Sequence, residues 1–138
     1  MAINAYIYFN GNCREAVEFY AKAFNTQAPH ISTFGDTPPN PAFPLTEQAK
    51  KLVMHAELSI AGSIVMFSDT FPGNPFTVGN NISLTAMSSD IDELKAFFNN
   101  MKEGGTVTME LQETFWTKCY GMLTDKFGIG WQFSLEGH

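Results

Sequence analysis

Positive charge is scarce in this chain. Eight Lys and Arg stand against fourteen Asp and Glu, for a net charge of −6. Binding a polyanion takes a basic patch, and Lys50-Lys51 with Lys118 do not make one, which disfavours nucleic acid as a partner. Charge of either sign is low, at 16% of residues, where a disordered chain would carry far more. Long apolar runs are missing too. None approaches the roughly 20 residues that a spanning helix needs, so no membrane partner is expected. Met1-Ala-Ile-Asn lacks the basic and apolar character of an export leader, and the expected location is the cytoplasm. Cysteine is reduced to Cys13 and Cys119, with no Cys-x-x-Cys. A disulfide or two free thiols would both be allowed, and a reducing compartment favours the thiols.

What is present is apolar and aromatic. Hydrophobic residues make up 44% of 138 residues, including thirteen Phe. That suffices for one domain, or for two small halves sharing a core. The most structured stretch runs from Glu113 to Ser134. Asp125-Lys-Phe-Gly128 reads as a tight turn, because Asp bonds its own backbone there and Gly128 accepts positive φ. Met122 and Leu123 enter the turn, while Ile129, Trp131 and Phe133 leave it at the period of a half-buried strand. Phe115-Trp116 leads in. A second hairpin, Val53 to Ser68, turns at Ala61-Gly62.

Ile3 to Phe9 reads as a strand. Asn12, with Glu15 three residues on, predicts a capped helix whose apolar stripe is Ala16, Val17, Phe19, Tyr20, Ala23 and Phe24, ending near Asn25. Gln27 to Phe34 predicts a strand. Gly35 to Pro44 holds four prolines and must be a loop. Thr46 to Lys51 allows one helical turn before the hairpin. After a linker over 71–79, the order repeats. Asn81 to Met87 alternates as a strand, and Asp90 with Glu93 starts a helix that buries Leu94, Phe97, Phe98 and Met101. Gly104-Gly105 ends that helix, and Thr106 to Leu111 is a strand. The reading is thus α+β: β-α-β-β-β twice, in modules of approximately 1–70 and 80–138. Each helix lies on one sheet face and leaves the other face to curl around a cavity.

This repeat resembles the vicinal oxygen chelate superfamily of glyoxalase I, bleomycin-resistance proteins and extradiol dioxygenases. Within it, the chain resembles the PhnB-like family. The resemblance is carried by Phe9-Asn-Gly-Asn-Cys-Arg-Glu-Ala-Val-Glu-Phe-Tyr20, by His55 to Asp69, and by Glu113-Thr-Phe-Trp through Thr124-Asp-Lys-Phe-Gly to Trp131. It implies paired βαβββ modules, a curled eight-stranded sheet and a homodimer. Names in the PhnB-like family often cite demethylubiquinone methyltransferase. The sequence has no glycine-rich strand-to-helix turn of the kind such a cofactor fold uses, and methyl transfer is not expected.

Metal-dependent members of the superfamily carry His or Glu at four strand positions. By alignment of the helix aromatic pairs and turn glycines, these fall on Ala5, Met66, Asn81 and Gln132. None is a strong ligand, so no metal and no cofactor are expected. With Ala61-Gly62 as a two-residue turn, Ile60 pairs with Ser63 and Glu57 with Met66. His55, Glu57 and Ser59 then share the Met66 face, and Leu58, Ile60, Val65 and Phe67 face the helix. The expected ligand-facing residues of the first half are Ala5, Ile7, Ser59, Met66 and Ser68. Those of the second are Asn81, Ser83, Phe115, Trp116, Cys119 and Gln132. His55 and Glu57 read either as an acid–base pair or as a satisfied polar pair on a wet face. Phe115 and Trp116 either stack on a planar ligand or plug the sheet end. Cys119 reads as structural, and His30 and His138 as surface residues.

Three functions follow. One is a metal-free module binding a small organic ligand, with a weak preference for cations from the acidic balance. Another is an enzyme of isomerase, lyase or dioxygenase type, using a shifted metal site or His55 and Glu57. The third, a module for a partner protein, has no feature pointing to it.

Overall fold

The computed structural model describes residues 1–137; His138 lies outside them. Contacts cluster into two compact units, Met1–Phe76 and Thr77–His138. The first contains β1 (Ala5–Phe9), α1 (Cys13–Ala23), β2 (His30–Thr33), a 3-10 turn (Phe34–Asp36), α2 (Glu47–Lys50), β3 (Val53–Ile60) and β4 (Ser63–Asp69). The second contains β5 (Ser83–Ser88), α3 (Ile91–Met101), β6 (Thr106–Gln112), β7 (Tyr120–Thr124) and β8 (Gly130–Leu135). Each unit forms one four-stranded mixed sheet, ordered β1-β4-β3-β2 and β5-β8-β7-β6. The first strand of each unit runs parallel to the last, and the other pairs are antiparallel. The same topology twice is the βαβββ repeat.

The turn chemistry sets the register of the first hairpin. Ala61 and Gly62 both have positive φ, 50° and 88°, the primed geometry that matches strand twist. Ile60 therefore faces Ser63, and Glu57 faces Met66. Ala56, Leu58, Ile60, Val65 and Phe67 are buried. Phe67 stacks on Tyr20 of α1, with centroids 5.8 Å apart. In the second unit, Phe98 of α3 meets Phe133 edge-on at 5.4 Å. Gly121 permits that approach, because a Cβ there would lie 3.0 Å from Phe98 Cε2 and 2.9 Å from Leu111 Cδ2.

The two helices start differently. Asp90 caps α3 as its position predicts, accepting from Asp92 and Glu93 N–H at 2.9 and 3.3 Å. Glu93 does not reach back to the cap directly. It takes the Ser88 hydroxyl at 2.9 Å, and that hydroxyl accepts the Asp90 N–H at 3.1 Å. Asn12 precedes α1 but its side chain caps nothing. Asp69, at the end of β4, supplies the acceptor. Its Oδ1 takes the Gly11 and Cys13 N–H at 2.9 and 3.0 Å, and its Oδ2 takes the Val53 N–H at 2.9 Å. A carboxylate outbids a neutral amide at a helix N-terminus, where the dipole favours negative charge.

Candidate functional site

In each unit, one sheet face packs on its helix and the other is free of it. The helix face of β1 is set by Phe9, which is buried and lies 6.3 Å from Phe67, ring to ring. Strand alternation then carries Ile7 and Ala5 to the helix face and Tyr6 and Tyr8 to the open face. Register agrees, since Ala5 sits beside Val65, Tyr6 beside Met66 and Ile7 beside Phe67. The expected placement of Ala5 and Ile7 with Met66 is thereby corrected. A one-residue phase error moves every side chain of a strand to the wrong side.

The open face of the first unit joins Tyr6, His55 and Glu57. The Tyr6 hydroxyl lies 3.3 Å from His55 Nδ1, and His55 Nε2 lies 3.5 Å from Glu57 Oε2. Tyr6 also stacks on Tyr8 at 5.0 Å. Met66 neighbours Tyr6 on β4 and Glu57 on β3. Ser59 is exposed farther along β3, whereas Ser68 is buried. His30, on the edge strand, stands opposite Glu57 and is exposed.

The second unit places Ser83, Thr85, Tyr120, Met122 and Gln132 together on its open face by register. The Tyr120 hydroxyl donates to Gln132 Oε1 in a short hydrogen bond. Gln132 Nε2 donates to Ser83 Oγ at 2.9 Å. Trp116 meets Tyr120 edge-on at 5.2 Å, and Phe115 meets Trp116 at 4.8 Å. Thr117 holds this lead-in to the sheet, donating from Oγ1 to Leu135 O at 2.8 Å. Phe115 is 97% exposed and Trp116 is 55%.

Two expected positions move. Asn81 is exposed and precedes β5 by two residues. The strand neighbour of Gln132 is Thr85. Cys119 lies one residue before Tyr120 and faces the helix; burial raises its thiol pKa, and Lys95 of α3 opposes that. Cys13, also a free thiol, is pushed up to about 12 by burial first and by Asp69 second, with Arg14 opposing. Neither thiol has the lowered pKa of a nucleophile.

The positions aligned by register are therefore Tyr6 and Met66 in one unit, Thr85 and Gln132 in the other. A phenol, a thioether, a hydroxyl and an amide do not fit a catalytic divalent ion, which takes imidazole, thiolate or carboxylate donors. Among the described residues, no three His, Cys, Asp or Glu side chains are grouped to hold one.

Tyr6, Tyr8, Thr85 and Tyr120 escaped the sequence reading. Counting the alternation of β1 from Phe9, the residue next to the glycine break and the helix, finds Tyr6 and Tyr8. Tyr120 falls at the strand start beside Cys119, and only pairing with Ser134 shows which of the two is on the open face.

The family profile described as 3-demethylubiquinone-9 3-methyltransferase matches residues 1–134. The chain is 30% identical over 146 residues to protein YjdN of Escherichia coli strain K12, covering 98% of this chain and 95% of that one. It is similar in structure to protein PA1353 from Pseudomonas aeruginosa, with TM-score 0.84, 33% identity and coverage of 99% and 98%. The PhnB protein from Bacillus cereus has the same fold at TM-score 0.72 and 24% identity, with coverage of 99% and 100%.

Proposed function

The chain belongs to the PhnB-like family of the vicinal oxygen chelate superfamily, with the glyoxalase/bleomycin resistance fold, and on that premise we propose that it binds a small organic molecule without the superfamily's usual metal site. The observation that supports this most is the exposed pair Phe115 and Trp116, seated on the buried Tyr120 beside the hydrogen-bonded Gln132 and Ser83. Aromatic faces supply contact area at little entropic cost, and a few fixed polar groups orient the ligand. The net charge of −6 and the open indole favour a planar or cationic ligand. Methyl transfer, named in the description of the family profile, is not part of this reading. The β1-to-α1 connection is Asn10-Gly11-Asn12, in a mixed sheet rather than an open parallel one.

Trp116 is open and Trp131 is buried, so a ligand on this face changes the emission of Trp116 alone. In a panel of planar and cationic compounds, at least one changes Trp116 emission saturably, and Trp116→Ala weakens its binding, read by calorimetry because the variant lacks the reporter, about tenfold or more. A panel without a binder, or a binder indifferent to Trp116→Ala, removes the reading. A second reading, proton-transfer chemistry, rests on His55 standing between the Tyr6 hydroxyl and Glu57. On a compound that binds the open face of the first unit, His55→Gln then lowers any turnover by about a hundredfold while binding persists; turnover unchanged in the variant rules it out.

A homodimer belongs to the proposal as well. Strands β1, β2, β5 and β6 are sheet edges, and Tyr8, Ile64 and Met87 are exposed on the open faces. Sedimentation velocity at micromolar concentration is expected to give twice the chain mass, and a monomer there contradicts it.

A further inference from the structure

The proline-rich loop between β2 and α2 does more than connect them. With Phe34 and Phe71 it walls a cavity of about 800 Å³, within the roughly 300–1,000 Å³ of small-molecule sites. Its lining is mostly apolar, led by Phe34, Phe43, Phe71 and four prolines, with Thr37 and Asn40 polar and Lys50 the one charged lining residue. Phe34 and Phe71 meet edge-on at 5.3 Å as the floor. Backbone bonds hold the walls: Phe34 N–H to Leu52 O at 3.0 Å, Asn74 N–H to Phe71 O at 3.1 Å and Phe43 N–H to Asn40 O at 3.0 Å. Asn40 Oδ1 also accepts from Ala42 N–H at 3.0 Å, which fixes the turn carrying Phe43. Prolines restrict φ and lack an N–H, so this loop cannot fold into the sheet and close the space. Phe43 is 74% exposed and Phe71, despite its contact with Phe34, 41%, a large aromatic display at the rim of the space.

We propose that this cavity is a second small-molecule site, distinct from the open sheet faces, and that it takes a planar aromatic molecule carrying one anionic group. The ring body stacks against Phe34, Phe43 and Phe71, and prolines add flat apolar walls. Lys50 receives the anion. Its present partner, Glu47 at 3.1 Å, is 85% exposed and so holds it weakly. A ligand anion desolvated on its inner side by the cavity displaces Glu47.

Two dyes test it: anilinonaphthalene sulfonate, which has the anion, and phenylnaphthylamine, which lacks it. Both are expected to bind saturably, with one Phe43-dependent site per chain. Phe43→Ser weakens both by about tenfold, and its exposure keeps the fold intact, as a far-ultraviolet melt verifies. Lys50→Gln weakens only the sulfonate dye, by several-fold. Trp116→Ala leaves the Phe43-dependent binding of both dyes unaffected, which separates this site from the one proposed on the second unit. Dye binding indifferent to Phe43→Ser overturns the site, as does loss of the Phe43-dependent binding in Trp116→Ala. Equal effects of Lys50→Gln on both dyes overturn the anionic assignment. A change of sedimentation coefficient in Phe43→Ser makes the surface a contact between copies and overturns the ligand reading.

Discussion

Trp131→Ala is expected to lower the melting temperature by roughly 10 °C or more, and Trp116→Ala by a small fraction of that. Trp131 is 2% exposed and stacks on Phe133 at 6.3 Å between centroids. Its Nε1 donates to Asp125 Oδ2 at 2.9 Å. The other oxygen of the same carboxylate takes the Phe127 and Ile129 N–H at 2.8 and 3.0 Å, which closes the β7–β8 turn. Truncation therefore opens a cavity and removes a donor from a buried carboxylate. Loss of a buried Trp alone costs about 3–5 kcal/mol, a large share of a total of about 5–15 kcal/mol. Trp116 touches Phe115 and Tyr120 and is over half exposed, so little is lost with it. Thermal melts of the two variants decide the matter. If Trp116→Ala melts lower than Trp131→Ala, the faces of the last hairpin are assigned wrongly, and Gln132 and Tyr120 leave the site with them.

Asp69→Ala destabilises the first unit by about 3 kcal/mol or more. The side chain is 4% exposed and satisfies three backbone N–H groups from two separate segments, the α1 entry and the start of β3. Each buried donor left unpaired costs about 1–3 kcal/mol. Asp69→Asn recovers only part. The amide keeps one acceptor oxygen, and its NH2 turns a donor toward an N–H that was bonded before. Urea melts are expected to rank wild type above Asp69→Asn and that above Asp69→Ala. An alanine variant within about 1 kcal/mol of wild type would falsify the role given to this residue, and Asn12 would return as the helix cap.

Local sequence accounts for much of the architecture. Gly62 accepts the positive φ that a primed turn needs and Ala61 is held at 50° beside it, so the two-residue turn sets the pairing of Glu57 with Met66 within the hairpin itself. Asp90 and the apolar spacing of Leu94, Phe97, Phe98 and Met101 define α3 and its buried face in the same way. Asp125-Lys-Phe-Gly128 carries its own hydrogen-bonding instructions. In all three, the deciding interactions lie within a few residues of one another. The repeated element order, and with it the family, follows from these short-range signals.

The candidate site is different, because its geometry depends on which strand lies beside which. Ala5-Tyr-Ile-Tyr-Phe9 is apolar or aromatic in both phases of a period of two, so nothing local selects the face; parallel pairing of Tyr6 with Met66 does. That pairing brings Tyr6 to His55, 49 residues away. Asp69 reaches the helix N-terminus across 56 residues, too far for a capping pattern to reveal. Asn81 has the alternation of a strand residue, yet β5 begins at Ser83, where Gly130 of β8 stands opposite. The Gly35–Pro44 segment reads as a loop from its prolines, and only packing against Phe34 and Phe71 makes it the wall of a cavity. Sequence by itself determined the elements, their turns and their order, since dihedral preference and helical or strand period act between neighbours. Tertiary structure alone decided which face of β1 is open, which acid caps α1 and where the aromatic surfaces converge, since those are contacts between residues that the chain keeps far apart.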